Sequence, residues 1–371
     1  MHVLNILVSP DLLGLWAGWL ALERQPFFLT GEEVRALGLH AEPRAEARLT
    51  PEARDTFALW GVAPGADHVA WLTEEEWLAL PTATQRALVR AQVRHGRGAV
   101  PHVRDFADLL PHLPGSRFVW WPSLLSPAVL ARVVAQDQRA CRRDEVPEHV
   151  WDAAATILPG ARELAGTFPH ASGPNCFGTV MGAAGVPGAE REWMQRTPFE
   201  AFLAERTQPG GRDDQPGTVL VWRDAAGAVQ HAAVTLGGGW ALHKPSQTWR
   251  SARVVLPVRE LIAYSRTPGW RLGRVTLRQL LAVAGEPPQG HGVVQKEGRA
   301  QQRENQVAPL PEANPQDAPA AHQGDHQPDA PRGSVHGVLR VFMALSLTQP
   351  CGAERPGGGG GQHSPHRRLR I

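Results

Sequence analysis

The sequence predicts an α+β protein in which a helix that begins on a cysteine packs on an antiparallel sheet. An α/β region precedes this unit and a disordered tail follows it. Three observations carry the reading. Pro174-Asn175-Cys176 opens a short helical stretch that Gly185 and Pro187 close, with Asn175 as the N-cap. Alternating apolar runs on either side of Asp224-Ala-Ala-Gly227 and Gly237-Gly238-Gly239 give an antiparallel meander of three strands. After Glu286 the residues Pro, Gln, Gly, His and Ala dominate, and such a stretch cannot bury a core. The expected division is therefore 1–145, 146–285 and 286–371.

The first region reads as alternating strand and helix without a chemical motif. Residues 3–8 predict a strand. Ser9 then caps a helix with Pro10 at its first position and Leu12, Leu13, Trp16, Trp19 and Leu20 as its apolar stripe. Thr73-Glu-Glu-Glu76 is a capping box that starts a helix over 74–80. A second helix covers 82–94. Phe118-Val-Trp-Trp121 reads as a short buried strand, and Ser126-Pro127 opens a helix to about 139. Seven tryptophans crowd this region, from Trp16 to Trp121; ordinary core and a ligand groove are the two readings, and core is the simpler. His95, His102 and His112 have no ligand spacing and read as surface residues.

The middle region should open with helices at 148–158 and before Gly166. A helix at 198–206 follows, then a polar loop to Gly217, of the kind that lines clefts. The meander runs from 218 to 244. A strand and helix over 254–264 and a last helix over 276–284 complete the region.

Chemistry concentrates in the cysteine helix and the hairpin. A thiol at a helix N-terminus meets unpaired N–H groups and the positive dipole end, which predicts a lowered pKa for Cys176. Gly178 and Gly182, one turn apart, predict close packing of that helix on the sheet. In the hairpin a three-residue glycine turn pairs Leu236 with Trp240, Val234 with Leu242 and Ala232 with Lys244. His231, Ala233, Thr235, Ala241 and His243 then share one face, with His243 diagonal to His231. Cys176 as nucleophile, His231 as proton carrier and His243 as its orienting partner form a catalytic set. Asn175, His170 and Ser172 are the candidates for supporting or oxyanion contacts. Two rivals use the same residues: a zinc site of Cys176, His231 and His243 with water, and a binding module without catalysis.

These residues resemble the NlpC-type bacterial cysteine peptidases, a branch of the papain-like fold, over about 155–262. Gly166-Thr-Phe-Pro-His-Ala-Ser-Gly-Pro-Asn-Cys-Phe-Gly178 is similar to that family's approach to its nucleophile. Pro216-Gly-Thr-Val-Leu-Val-Trp222 resembles its Pro-Gly-Asp-Leu-Val strand, and 231–243 its histidine strand and polar third residue. Where the family commonly has Asp before the cysteine and Ser after it, this chain has Asn175 and Phe177; where it often has an upstream tyrosine, Phe168 stands. The resemblance implies a papain-like catalytic domain and cleavage of an amide in peptidoglycan stem peptides.

Composition bounds the rest. Of 371 residues, 42% are hydrophobic and 20% charged, with a net charge of +2; this fits a globular chain and argues against a nucleic-acid partner. Three cysteines far apart make no disulfide framework. Residues 1–25 lack a basic leader and carry Pro10 and Asp11, so no signal peptide is read there, and a cytoplasmic location is favoured over secretion. The 13-residue apolar island at 335–347 is too short to span a membrane. The expected partner is a peptide or amide substrate, with cell-wall peptide as the implied source, and no cofactor or metal is called for.

Overall fold

A computed structural model of the protein describes residues 1–278. The expected tail at 286–371, with Cys351 and the island at 335–347, lies outside the described residues, as does most of the helix expected at 276–284. The protein is mixed α+β with antiparallel sheets.

In chain order the first half holds β1 (His2–Val3), β2 (Ile6–Leu7), α1 (Pro10–Leu20), β3 (Arg24–Leu29), α2 (Gly31–Leu37), β4 (Glu42–Pro43), α3 (Pro51–Thr56), β5 (His68–Thr73), α4 (Glu74–Ala79), α5 (Thr82–Arg94) and α6 (Pro127–Ala135). The caps explain the helix starts. Ser9 Oγ accepts from Leu12 N–H, and the Thr73–Glu76 capping box is closed in both directions. Leu12, Trp16 and Leu20 are the buried stripe of α1. The single strand expected over 3–8 is instead a tiny hairpin, because Leu4 and Asn5 both take positive φ and turn the chain. β3, β4 and β5 form an antiparallel sheet in the order β3-β5-β4. The apolar 118–121 stretch is buried as expected but is not a strand: apart from the isolated bridge His102–Arg117, it has no neighbouring strand to pair with. His95 is buried against Glu33, at 2.7 Å, rather than a surface residue.

The second half adds α7 (Glu148–Ala155), α8 (Ala161–Leu164), α9 (Cys176–Ala183), α10 (Arg196–Arg206), β6 (Thr207–Pro209), β7 (Pro216–Arg223), β8 (Val229–Gly237), β9 (Trp240–His243), β10 (Val254–Pro257), α11 (Val258–Tyr264) and β11 (Arg271–Leu277). The sheet order is β10-β9-β8-β7-β11-β6, with every neighbouring pair antiparallel. The meander β7-β8-β9 is its centre. β11 corrects the expected last helix at its start: Thr276 pairs with both β6 and β7 and Leu277 with β6, and helical propensity yields to that pairing.

The hairpin keeps the expected pairing of Val234 with Leu242 but not that of Leu236 with Trp240. Gly237 pairs with Trp240, so the turn is the two residues Gly238 and Gly239, both at positive φ. A register irregularity between Thr235 and Gly237 then restores Thr235 opposite Ala241 and Val234 opposite Leu242. An even turn plus one extra residue places side chains as an odd turn does.

One apolar cluster runs through both halves. It joins Trp16 and Val129 to Trp151, Phe177, Val234 and Trp249, among others. Trp16 meets Phe168 edge-on at 4.8 Å and Trp249 at 6.3 Å. The core beneath the cysteine helix is thus built partly from residues before 145.

Candidate active site

Asn175 shapes the start of α9. Its Oδ1 accepts from Gly178 N–H at 3.1 Å and its Nδ2 donates to Met194 O at 2.7 Å. Both ends of the amide are therefore committed, and Asn175 is a helix cap rather than a free oxyanion donor. Gly178 and Gly182 do give close approach, but to the short helical turn Ala189–Arg191 and not to the sheet: a Cβ on Gly178 would lie 2.2 Å from Ala189 O, and one on Gly182 2.9 Å from Glu190 Cβ. α9 meets the sheet at β8 and β9.

Cys176 is the first residue of this helix and only 4% exposed. Burial pushes its thiol up to about 11, although the N–H groups of Ala232, Phe177 and Cys176 itself and the Lys244 charge all favour the thiolate. The expected lowering is thus reversed: the helix start contributes, and desolvation outweighs it. The Ala232 contact sets the sulfur against β8, one residue along the chain from His231.

His231 and His243 are 2% and 0% exposed. Their rings meet with His243 Nδ1 3.4 Å from His231 Nε2 and centroids 5.7 Å apart, so the shared face is as the pattern required. No hydrogen bond joins Cys176 Sγ to either ring. Burial drives His231 down to about 3, and burial together with His231 drives His243 well below the usual imidazole range. Both rings are neutral at pH 7. Trp222, opposite His231, packs on it at 5.1 Å, and Tyr264 from α11 stands edge-on to His243 at 6.0 Å. His243 Nε2 is buried without a partner.

The other candidates separate from the cysteine. His170 is exposed and bonds to none of the three residues. Ser172 is turned to other work: its N–H donates to Glu52, its Oγ accepts from Trp249 N–H at 3.3 Å, and it hydrogen-bonds Asp55. Among the described residues no group of three or more His, Cys, Asp or Glu side chains is arranged to hold a metal ion.

Three residues near the site were not singled out by sequence. Lys244 is 0% exposed, and its Nζ donates to Ser246 O at 2.5 Å and Thr248 O at 3.0 Å. Burial and the nearby Arg253 hold its pKa well below the usual lysine range, against the pull of Asp55 and Cys176. Its place opposite Ala232, on the apolar face of the hairpin, was the available signal. Asp55 comes from α3, far away in the chain; burial raises its pKa against the opposing effects of Ser172, Lys244 and Gln247. With Ser172, Gly173 and Gln247 it lines a cavity of about 190 Å³ beside the chain's approach to Cys176. Tyr264, the single tyrosine of the chain, is the third.

A thiol, two neutral imidazoles in contact and a helix N-terminus can together run nucleophilic acyl chemistry. Compared with known proteins, the chain matches no family model, no curated protein and no solved structure.

Proposed function

We propose that the protein is a thiol hydrolase or acyl transferase that opens an amide bond, with the NlpC-type, papain-like arrangement its sequence resembles. The observation that carries this is the contact of His243, from β9, with His231 on β8, the strand against which Cys176 rests. The resting pair is neutral thiol and neutral imidazole, since Cys176 stands near 11 and His231 near 3.

Proton transfer and attack therefore go together. With Nε2 of His231 donating to His243 Nδ1, its Nδ1 is left bare as the base. As the sulfur forms its bond to the carbonyl carbon, the thiol proton passes to His231. The carbonyl electron pair moves to oxygen, where the Cys176 N–H at the helix start receives it. Collapse breaks the C–N bond, and the amine leaves with the proton from His231. Water or an acceptor amine then releases the thioester by the same steps in reverse. In this chain of protons His243 carries its own on Nε2, the atom left without a partner. The substrate class is a peptide or amide, and cell-wall stem peptide is the source that the resemblance favours.

The decisive test is incubation of the intact protein with amide and peptide substrates, stem peptides among them, followed by mass spectrometry for an acyl adduct on Cys176. Turnover that disappears in Cys176→Ala supports the proposal. A second reading, a non-catalytic binding module, is favoured by the depth of burial of Cys176 and by Phe168 and Phe177, which stand where the family differs. Binding of a peptide without any adduct or turnover would select that reading.

A further inference from the structure

A cavity of about 430 Å³, within the usual range of small-ligand sites, is walled on its apolar side by Trp120, Trp249, Val100 and Val133. Its charged lining is unbalanced. Arg97, Arg117 and Arg250 face it, and Asp137 is the one acid among the described residues that does so.

Among the described residues none of the three guanidiniums makes a hydrogen-bonded ion pair with a carboxylate. Arg97 is almost wholly buried; its Nη atoms donate to Gln25 Oε1 at 2.7 Å and Gly98 O at 3.4 Å, and its Nε has no partner. The ring of Phe57 lies 4.3 Å from its guanidinium. Arg117 donates to Val100 O at 2.7 Å and lies 2.8 Å from His102 Nε2. The Arg250 side chain makes no hydrogen bond or ion pair among the described residues, and its backbone carbonyl is held by Gln138. Asp55 and Asp137 attract Arg250 without touching it, and burial still lowers its pKa against them. Burying a guanidinium without a counter-ion is costly, and that cost shows in Arg97, pushed down to about 9 by burial alone.

We propose that this cavity binds a small organic oxyanion, a phosphate or carboxylate, with its charged end among Arg97, Arg117 and Arg250 and its apolar body against Trp120 and Trp249. The planar fork of a guanidinium matches either oxyanion in two-point contact. The two indoles give the body a flat apolar wall. The site is independent of the cysteine chemistry and uses none of its residues.

Phenyl phosphate, inorganic phosphate and the neutral benzyl alcohol are the probes, titrated into the full-length protein by calorimetry and followed by tryptophan fluorescence. Phenyl phosphate should bind saturably, change the fluorescence, and bind more tightly than either of the others. Arg250→Gln should weaken it by about tenfold or more, the scale of one lost charged hydrogen bond. Arg250→Lys should lose less, and Arg117→Gln, read with a circular dichroism check of folding, provides an independent arm. Three results would each overturn the proposal: no saturable binding below about 10 mM, far weaker than specific sites; benzyl alcohol binding as well as phenyl phosphate; or undiminished binding in both folded Gln variants.

Discussion

At the scale of single residues, the behaviour of Cys176 is decided by burial. A helix start alone argues for a reactive thiolate, yet burial of Cys176, only 4% exposed, pushes the thiol up to about 11. Alkylation of Cys176 by iodoacetamide should therefore be slow at pH 7 and climb towards pH 11, with no plateau near pH 6. Peptide mapping with Cys141, also buried and raised, as the internal reference measures this; a rate already maximal at pH 6 would contradict it. The histidines should differ in cost. His231→Ala removes the base and should abolish turnover. His243→Gln keeps one hydrogen-bonding group beside His231 and should lose about 10–100-fold, as supporting groups do, while His243→Ala loses more. Equal loss in His231→Ala and His243→Gln, recovered on adding zinc, would favour ligand roles for both.

At the scale of elements, the helix start and the hairpin were legible and the contacts of the helix were not. Asn175 could be read as a cap because it follows Pro174 and opens a stretch that Gly185 and Pro187 close, and its loss is a simple test: Asn175→Ala should cost about 1 kcal/mol or more, with the Met194 contact adding to the effect. Gly178 and Gly182 signalled close packing, but glycine spacing says nothing about the partner, which is Ala189–Arg191 and not the sheet. Gly178→Ala should therefore destabilise strongly, because the new Cβ would fall 2.2 Å from a backbone oxygen that cannot swing aside. Denaturant unfolding of the two variants gives the comparison, and a stable Gly178→Ala protein would show that Ala189 can retreat. The hairpin shows the same limit in another form. Alternation demanded that His231 and His243 share a face, and the bulge that achieves it leaves no mark in the apolar pattern.

At the scale of the molecule, the region before residue 145 is part of the wall behind the site. Trp16 packs on Phe168 and Trp249, and Asp55 interacts with Ser172, Lys244 and Gln247. A fragment of residues 146–285 expressed alone should thus fail to give a cooperative unfolding transition, while the full chain gives one; a folded fragment with its own sharp melt would separate the two halves. Acid stability is a second whole-molecule property. His231 has its folded pKa depressed to about 3 from 6.5, and His243 is depressed as well. Between these limits the unfolded chain binds protons that the native state does not, so stability falls as pH drops from about 6.5 towards 3. Melting temperature across that window should decline, and more gently in a folded His231→Gln variant. An unchanged slope in that variant would remove His231 from the cause.

What the sequence determined by itself was local: caps, turns, the alternation that pairs two histidines, and the antiparallel meander. Each depends on residues within about a dozen positions, where backbone geometry and side-chain period leave few alternatives. Only the tertiary structure decided what those elements meet. It placed Asp55 near the cysteine's surroundings, buried Lys244 and His95, gathered Arg97, Arg117 and Arg250 around one cavity, and turned residues 271–277 into a strand. It also set the charge states, because desolvation depends on everything packed around a group, and residues far apart in the chain supply that packing.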